Sequence, residues 1–370
     1  EGDNVIINAD AITDANVKVV TIFVGVAVAV STPTAEVHIA DDVTIISRGD
    51  LEVSSYAESN LNAAVRHDMA FGPGSSKLTE KLQVVNFALA VGVSVPTAVT
   101  EVAGGAEFYV DGSFSMTSDI LKNSTVAANA VAVGKGFAAA SLAVSVYTGN
   151  ARTQFDGTVY ANDDITITAS STAKNDSVNA SSSVGSGVGA KVVGAIKQLP
   201  DNIGLAIVNK IKEKTKTDKG SQTDNTKKQD SQSGPGKVAF APALALQAHV
   251  STVNSFIGSD GIVVSRGGSV EVLATSQLMP EVSVFATINS DEDKTSDKST
   301  ENSLGGAIIV AGYVNITHAY IADNARVDAY DDISVISDSG FPWEYQWLGS
   351  KVYGSIAEGA SFTGTTTAIF

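Results

Sequence analysis

The sequence predicts an all-β chain: a parallel β-solenoid, or β-helix, of about five repeats of 50–63 residues, interrupted by one helical and disordered insertion. Three observations carry this expectation. Val24 to Val30 reads VGVAVAV, a strict alternation of branched and tiny side chains. A period of two puts the two sets on opposite faces of a strand, whereas a helix would scatter both around its circumference. The pattern recurs along the chain, and a second signature follows each recurrence in the same order.

The first signature appears as VGVAVAVSTPTA (24–35) and FALAVGVSVPTA (87–98), which share S-x-P-T-A. It returns as ASLAVSVYTGNA (140–151), APALALQAHVST (241–252) and AIIVAGYVNITHA (307–319). The second is a short turn followed by apolar–polar–apolar: GDLEV (49–53), GSFSM (112–116), DDITI (163–167), GSVEV (268–272) and DDISV (331–335). Its last residues, Val53, Met116, Ile167, Val272 and Val335, are spaced by 63, 51, 105 and 63 positions, the long interval holding the insertion. Constant order and similar spacing identify one duplicated unit. GDNVIIN (2–8) matches the second signature, with Ile7 at the Val53 position, and GASFTGTTTAIF (359–370) resumes the first. No capping repeat is visible, which suggests a window from a longer array.

A lone strand pair cannot exclude water from its apolar face. Stacked copies pair their backbones rung on rung and extend a Val/Ile stripe inward. The tiny face then suits the close approach of another strand layer, or an outer surface free of apolar patches. ADD (40–42), ANDD (161–164) and AYDD (329–332) read as corners, since Asp, Asn and Gly supply turns. The expected organisation is solenoid repeats over 1–188, an inserted helical and Lys-rich segment over 189–236, and solenoid repeats again over 237–370.

Composition agrees. Of 370 residues 44% are hydrophobic but only 6% aromatic, so Val, Ile and Ala carry the apolar content. A net charge of −16 argues against nucleic acid and anionic lipid as partners. The absence of cysteine removes disulfides, thiolate metal sites and thiol nucleophiles, and suits export of an unfolded chain. Val126 to Tyr147 is too broken by Asn129, Lys135 and small residues for a transmembrane helix, so no membrane insertion is expected.

The alternating strand followed by A-x-DD-I-T-I-x-A-S-S (161–171) resembles the repeats of giant bacterial surface adhesins, the filamentous-haemagglutinin-like and leukotoxin-type passengers. The resemblance covers most of the chain outside 189–236 and 340–350. It implies a secreted, extracellular or cell-surface shaft with adhesive or matrix function, as in biofilm, and no catalytic motif.

In a repeat protein the breaks are where function concentrates. Residues 190–214 have helical spacing interrupted at Pro200, and 215–236 are a polar tract. Residues 205–237 hold eight Lys and four acids. Lys210, Lys212, Lys214 and Lys216 therefore form a candidate interaction arm on an acidic shaft, with a solvated corner loop as the plainer reading. The second break, GFPWEYQW (340–347), holds both tryptophans. Phe341, Trp343, Tyr345 and Trp347 are candidates for stacking on sugar rings or filling a partner's pocket, against a plain hydrophobic plug.

Catalytic signatures are missing. His38, His67, His249 and His318 stand alone without zinc-motif spacing, and neither a nucleophile elbow nor a phosphate loop occurs. No catalytic residue, metal ligand or cofactor is assigned. Ca²⁺ at stacked corner Asp residues is the one metal considered, and turn chemistry explains those residues better. The expected function is a non-enzymatic structural or adhesive shaft that self-associates or contacts surface glycans. A β-helical polysaccharide-binding or lyase-type protein is the alternative. It would need clustered Asp, Arg and Lys, and Arg48, Arg66, Arg152, Arg266 and Arg326 are dispersed in sequence.

Overall fold

The computed structural model describes residues 2–67, 85–133, 138–185, 238–289, 302–340, 355–361 and 365–369. Among them every regular element is a strand, and every pairing is parallel, as in a β-helix.

Three sheets form. Sheet B holds β1 (Val5–Thr21), β5 (Leu51–His67), β9 (Phe114–Val133), β12 (Ile165–Gly185), β15 (Val270–Asn289) and β18 (Ile333–Gly340), with β19 (Ser355–Ser361) also on β15. Sheet C holds β2 (Val24–Ser31), β6 (Val85–Ser94), β10 (Ala138–Phe155), β13 (Val238–Ile257), β16 (Asn302–Ile321) and β20 (Thr365–Ile369). Two shorter strands, β3 (Thr34–Ile39) and β7 (Thr97–Val102), continue β2 and β6 beyond a proline. Sheet A is narrow: β4 (Thr44–Ser47), β8 (Glu107–Val110), β11 (Thr158–Ala161), β14 (Ile262–Ser265) and β17 (Arg326–Asp328). The chain visits B, C and A in the same order each time.

The register follows the second signature. Ile7 pairs with Val53, Val53 with Met116, Met116 with Ile167, Ile167 with Val272, and Val272 with Val335. The first signature aligns Ser31 with Ser94, and Ala98 with Ala151. The fourth and fifth copies sit one residue away from the windows quoted above. Ser141 pairs with Ala243, which makes Pro242 rather than Ala241 the partner of Ala140, and Pro242 pairs with Gly306 rather than Ala307. Alternating Ala and Leu look the same in either frame, and a slip of one residue exchanges the faces. The stretch 359–370 is also divided: 359–361 belong to β19 on sheet B, and 365–369 enter sheet C. Val126–Val133 ends β9 and Ala138–Tyr147 opens β10, as a strand reading requires.

One expectation is reversed. In β2 the burial alternates so that Gly25, Ala27, Ala29 and Ser31 face inward and Val24, Val26, Val28 and Val30 face out. The inward column at this level of sheet C is small over four rungs, where Ala27, Ala90, Ala143 and Ala245 stack in register before Ile309 on the fifth. Sheet B supplies the bulk, with Leu61, Val65, Val126, Val178 and Val282 packed against those alanines. The sheets approach so closely that a Cβ on Gly92 would lie 2.6 Å from both Leu61 Cδ2 and Val126 Cγ2. A branched side chain at Gly25 or Gly92 would not fit. Nearer sheet A the interior widens, and Phe108, Phe114 and Phe155 fill it with centroids 5.5–5.9 Å apart.

The corners are hydrogen-bonded from rung to rung. Asn4 Oδ1 accepts from the Asp50 N–H (3.0 Å), Asp50 Oδ1 from Ser113 N–H (2.9 Å), and Asp164 Oδ1 from Ser269 N–H (2.8 Å). These residues precede equivalent strands. A Cβ on Gly112 would crowd Asp50 Oδ1 and the Gly49 backbone, so the neighbouring glycine keeps room for this ladder. Asp42 and Asn324 take left-handed φ values of 62° and 69° at the corners between sheets C and A, a conformation that Asp and Asn tolerate.

Candidate functional site

A polar seam runs through the interior between sheets B and C. At one end Ser59 Oγ bonds Ser31 Oγ (2.8 Å) and Ser94 Oγ (2.7 Å). Register carries Ser59 to Lys122 on sheet B, and Ser94 through Tyr147 to His249 and Tyr313 on sheet C. Moving along the stack, the seam therefore changes from hydroxyls to ionisable groups.

The ionisable part is centred on Asp176. A bulge creates it: Ala173 pairs with Lys122 and Asp176 with Ser124, so two residues of β12 stand opposite one of β9. Lys174 and Asn175 both face solvent, Asn175 at φ 21°, and the extra residue turns Asp176 inward. Lys122 Nζ lies 2.7 Å from Asp176 Oδ1. Gln247 Nε2 donates to Oδ2 at 2.8 Å, and His249 Nδ1 stands 3.6 Å from that oxygen. Tyr313 donates its hydroxyl proton to Gln247 Oε1 (2.7 Å). Tyr147 lies under Lys122, with Nζ 4.7 Å from its ring centroid, and stacks on His249 at 4.2 Å. Lys122 and Asp176 are fully buried, and Tyr147, Gln247 and His249 nearly so.

Burial sets the electrostatics. Desolvation pulls the Lys122 ammonium below the usual lysine range, with Asp176 opposing. For Asp176 desolvation pushes upward, but Lys122 and His249 outweigh it and hold the carboxyl below its ordinary value. Desolvation lowers His249 against the pull of the Asp176 hydrogen bond, and it raises Tyr147. A pair withdrawn from water in this way is a liability unless both partners stay, since losing one strands a buried charge at a cost of about 3–5 kcal/mol.

Sequence alone presents His249 as an isolated strand residue and does not gather this cluster. Two signals were present. Lys122 occupies an inward parity position after Met116, Ser118 and Ile120, and AKND (173–176) breaks the alternation by one residue. The proposed aromatic site, Phe341, Trp343, Tyr345 and Trp347, lies outside the described residues, as do Lys210, Lys212, Lys214 and Lys216 and the expected helix.

On the surface, one shallow groove at the corner of sheets C and A is lined by His38, Glu101, Gln154, Asp156 and Asp260. Arg152 pairs with Glu101 at 2.7 Å, and His38 Nδ1 lies 3.1 Å from the same carboxylate. Among the described residues no three His, Asp or Glu side chains converge as a metal site. Of the corner carboxylates considered for Ca²⁺, Asp41 accepts from the Gly105 N–H (3.3 Å) and Asp164 from the Ser269 N–H (2.8 Å). Compared with known families, curated proteins and solved structures, the chain matches none.

Proposed function

We propose that this chain is a non-enzymatic structural or adhesive shaft from a large, repetitive, secreted bacterial surface protein, its three sheets closing into a β-solenoid of about five stacked repeats. The observation that carries the reading is the registered stack, in which Ile7, Val53, Met116, Ile167, Val272 and Val335 occupy one column across six strands. Such a stack grows in one dimension, each rung contacting only its neighbours.

The outer face of sheet C supports self-association. Val26, Leu89, Leu142, Leu244 and Ile308 form one outward column, and Val28, Val91, Val144, Leu246 and Val310 the next. Val26, Val28, Ile308 and Val310 are 42–51% exposed. The outer face of sheet B, by contrast, is rich in Ser, Thr and Asn. A contiguous apolar face on an otherwise acidic surface marks a contact surface, and a flat face of this kind suits a second shaft lying alongside. Contact with surface glycans is the second reading, favoured by the polar groove beside Glu101 and Arg152.

Electron microscopy and sedimentation of the purified chain test the proposal. Elongated rods that associate side by side with concentration are expected, and Val28→Lys with Val91→Lys should leave single rods. A compact particle would overturn the shaft. Rods whose association ignores both lysines would remove sheet C as the contact.

A further inference from the structure

We propose that Lys122 and Asp176 condense to an intramolecular amide that staples β9 to β12. Four features of the cluster supply what such a condensation needs. The amine nitrogen is already in contact with the carboxyl group, Nζ lying 2.7 Å from Oδ1, so approach to Cγ needs only a small adjustment. The surrounding packing excludes water, and both side chains are fully buried, which removes the competing hydrolysis; desolvation pushes each group toward its neutral form against the attraction between them. Gln247 Nε2 donates to Oδ2 at 2.8 Å, where negative charge develops when the carboxyl carbon becomes tetrahedral. His249 Nδ1 is 3.6 Å from the same oxygen and adds a second polar group on that side.

The step balances without an added reagent. A proton passes from the Lys122 ammonium to Asp176 Oδ1, giving amine and carboxylic acid. The Nζ lone pair attacks Cγ and the N–Cγ bond forms, with the displaced electron pair on Oδ2. A second proton moves from nitrogen to Oδ1, the Cγ–Oδ1 bond breaks, water leaves, and the carbonyl re-forms at Oδ2. Desolvation lowers the proton affinity of Lys122, which assists the first transfer, while the depressed Asp176 carboxyl works against it.

The product would be a covalent link between successive rungs in a chain with no cysteine. Register places the link beside the β12 bulge, where Pro280, the partner of Asp176 on the next strand, has no N–H to give to the ladder. The staple would thus reinforce the rung whose pairing is interrupted.

Mass spectrometry of the intact, denatured chain tests this directly. The expected mass is one water below the sequence mass, and proteolysis should yield a branched peptide joining Lys122 to Asp176. Lys122→Arg keeps the cation but restores the full sequence mass. A wild-type chain at full sequence mass overturns the proposal, as does a water loss that maps to any other pair of residues. The wild-type peptide map decides the matter even if the arginine variant does not fold.

Discussion

Glycine-to-alanine substitutions on the two faces of sheet C should have opposite signs. At Gly92 the new Cβ would lie 2.6 Å from Leu61 Cδ2 and 2.6 Å from Val126 Cγ2. Both methyls belong to buried side chains of sheet B. Moving each off its rotamer costs about 0.5–1.5 kcal/mol, together about 1–3 kcal/mol. Relief from glycine's backbone entropy returns about 0.5–1 kcal/mol, which leaves Gly92→Ala destabilising by about 1 kcal/mol at the middle of a range of roughly 0–2.5 kcal/mol. Gly312 lies on the outward face and has nothing within 4 Å of its would-be Cβ. Gly312→Ala should therefore stabilise by about 0.4–1 kcal/mol. Urea unfolding followed by circular dichroism reads both as shifts in midpoint at unchanged slope. A Gly92→Ala midpoint at or above that of Gly312→Ala would refute the assignment of the small face to the interior.

The corner ladder makes a second prediction. Asp164→Ala removes the acceptor for the Ser269 N–H and should cost about 1 kcal/mol, whereas Asp164→Asn keeps an acceptor and should cost little; equal losses in urea unfolding would point to a role for the charge itself. The polar seam predicts acid sensitivity centred on His249, which faces Lys122 on β9, Asp176 on β12, Tyr147 on β10 and Tyr313 on β16. Its folded pKa is depressed, so the unfolded chain takes up the proton first. The contribution is complete above the unfolded value of about 6.5 and is lost as pH falls from there toward the folded value. Melting temperatures of wild type and His249→Gln should converge as the pH drops from about 7.5 to about 5, and parallel curves would exclude His249 as the source.

Much of the fold was legible in the residues. The second signature fixed the register of sheet B, because apolar–polar–apolar after a turn has one frame in which Val53, Met116, Ile167, Val272 and Val335 align. The corners were legible because Asp, Asn and Gly have specific backbone and capping chemistry. The Lys122–Asp176 pair was not, since its members are distant in sequence and Asp176 points inward only through a bulge.

By itself the sequence determined the parallel stacking and the alignment of sheet B, since these depend on repeated local patterns, while the fourth and fifth rungs of sheet C are displaced by one residue from the frame it indicates. Which face of sheet C points inward was decided by tertiary structure alone. Strict alternation has two solutions related by a flip, and in both the strand pairs equally well. The choice rests on the distance between sheets B and C, where leucines and valines of sheet B around Gly92 and its alanine neighbours leave space for little more than a methyl group from sheet C. The same close approach expels water from the seam and brings amine and carboxyl into contact.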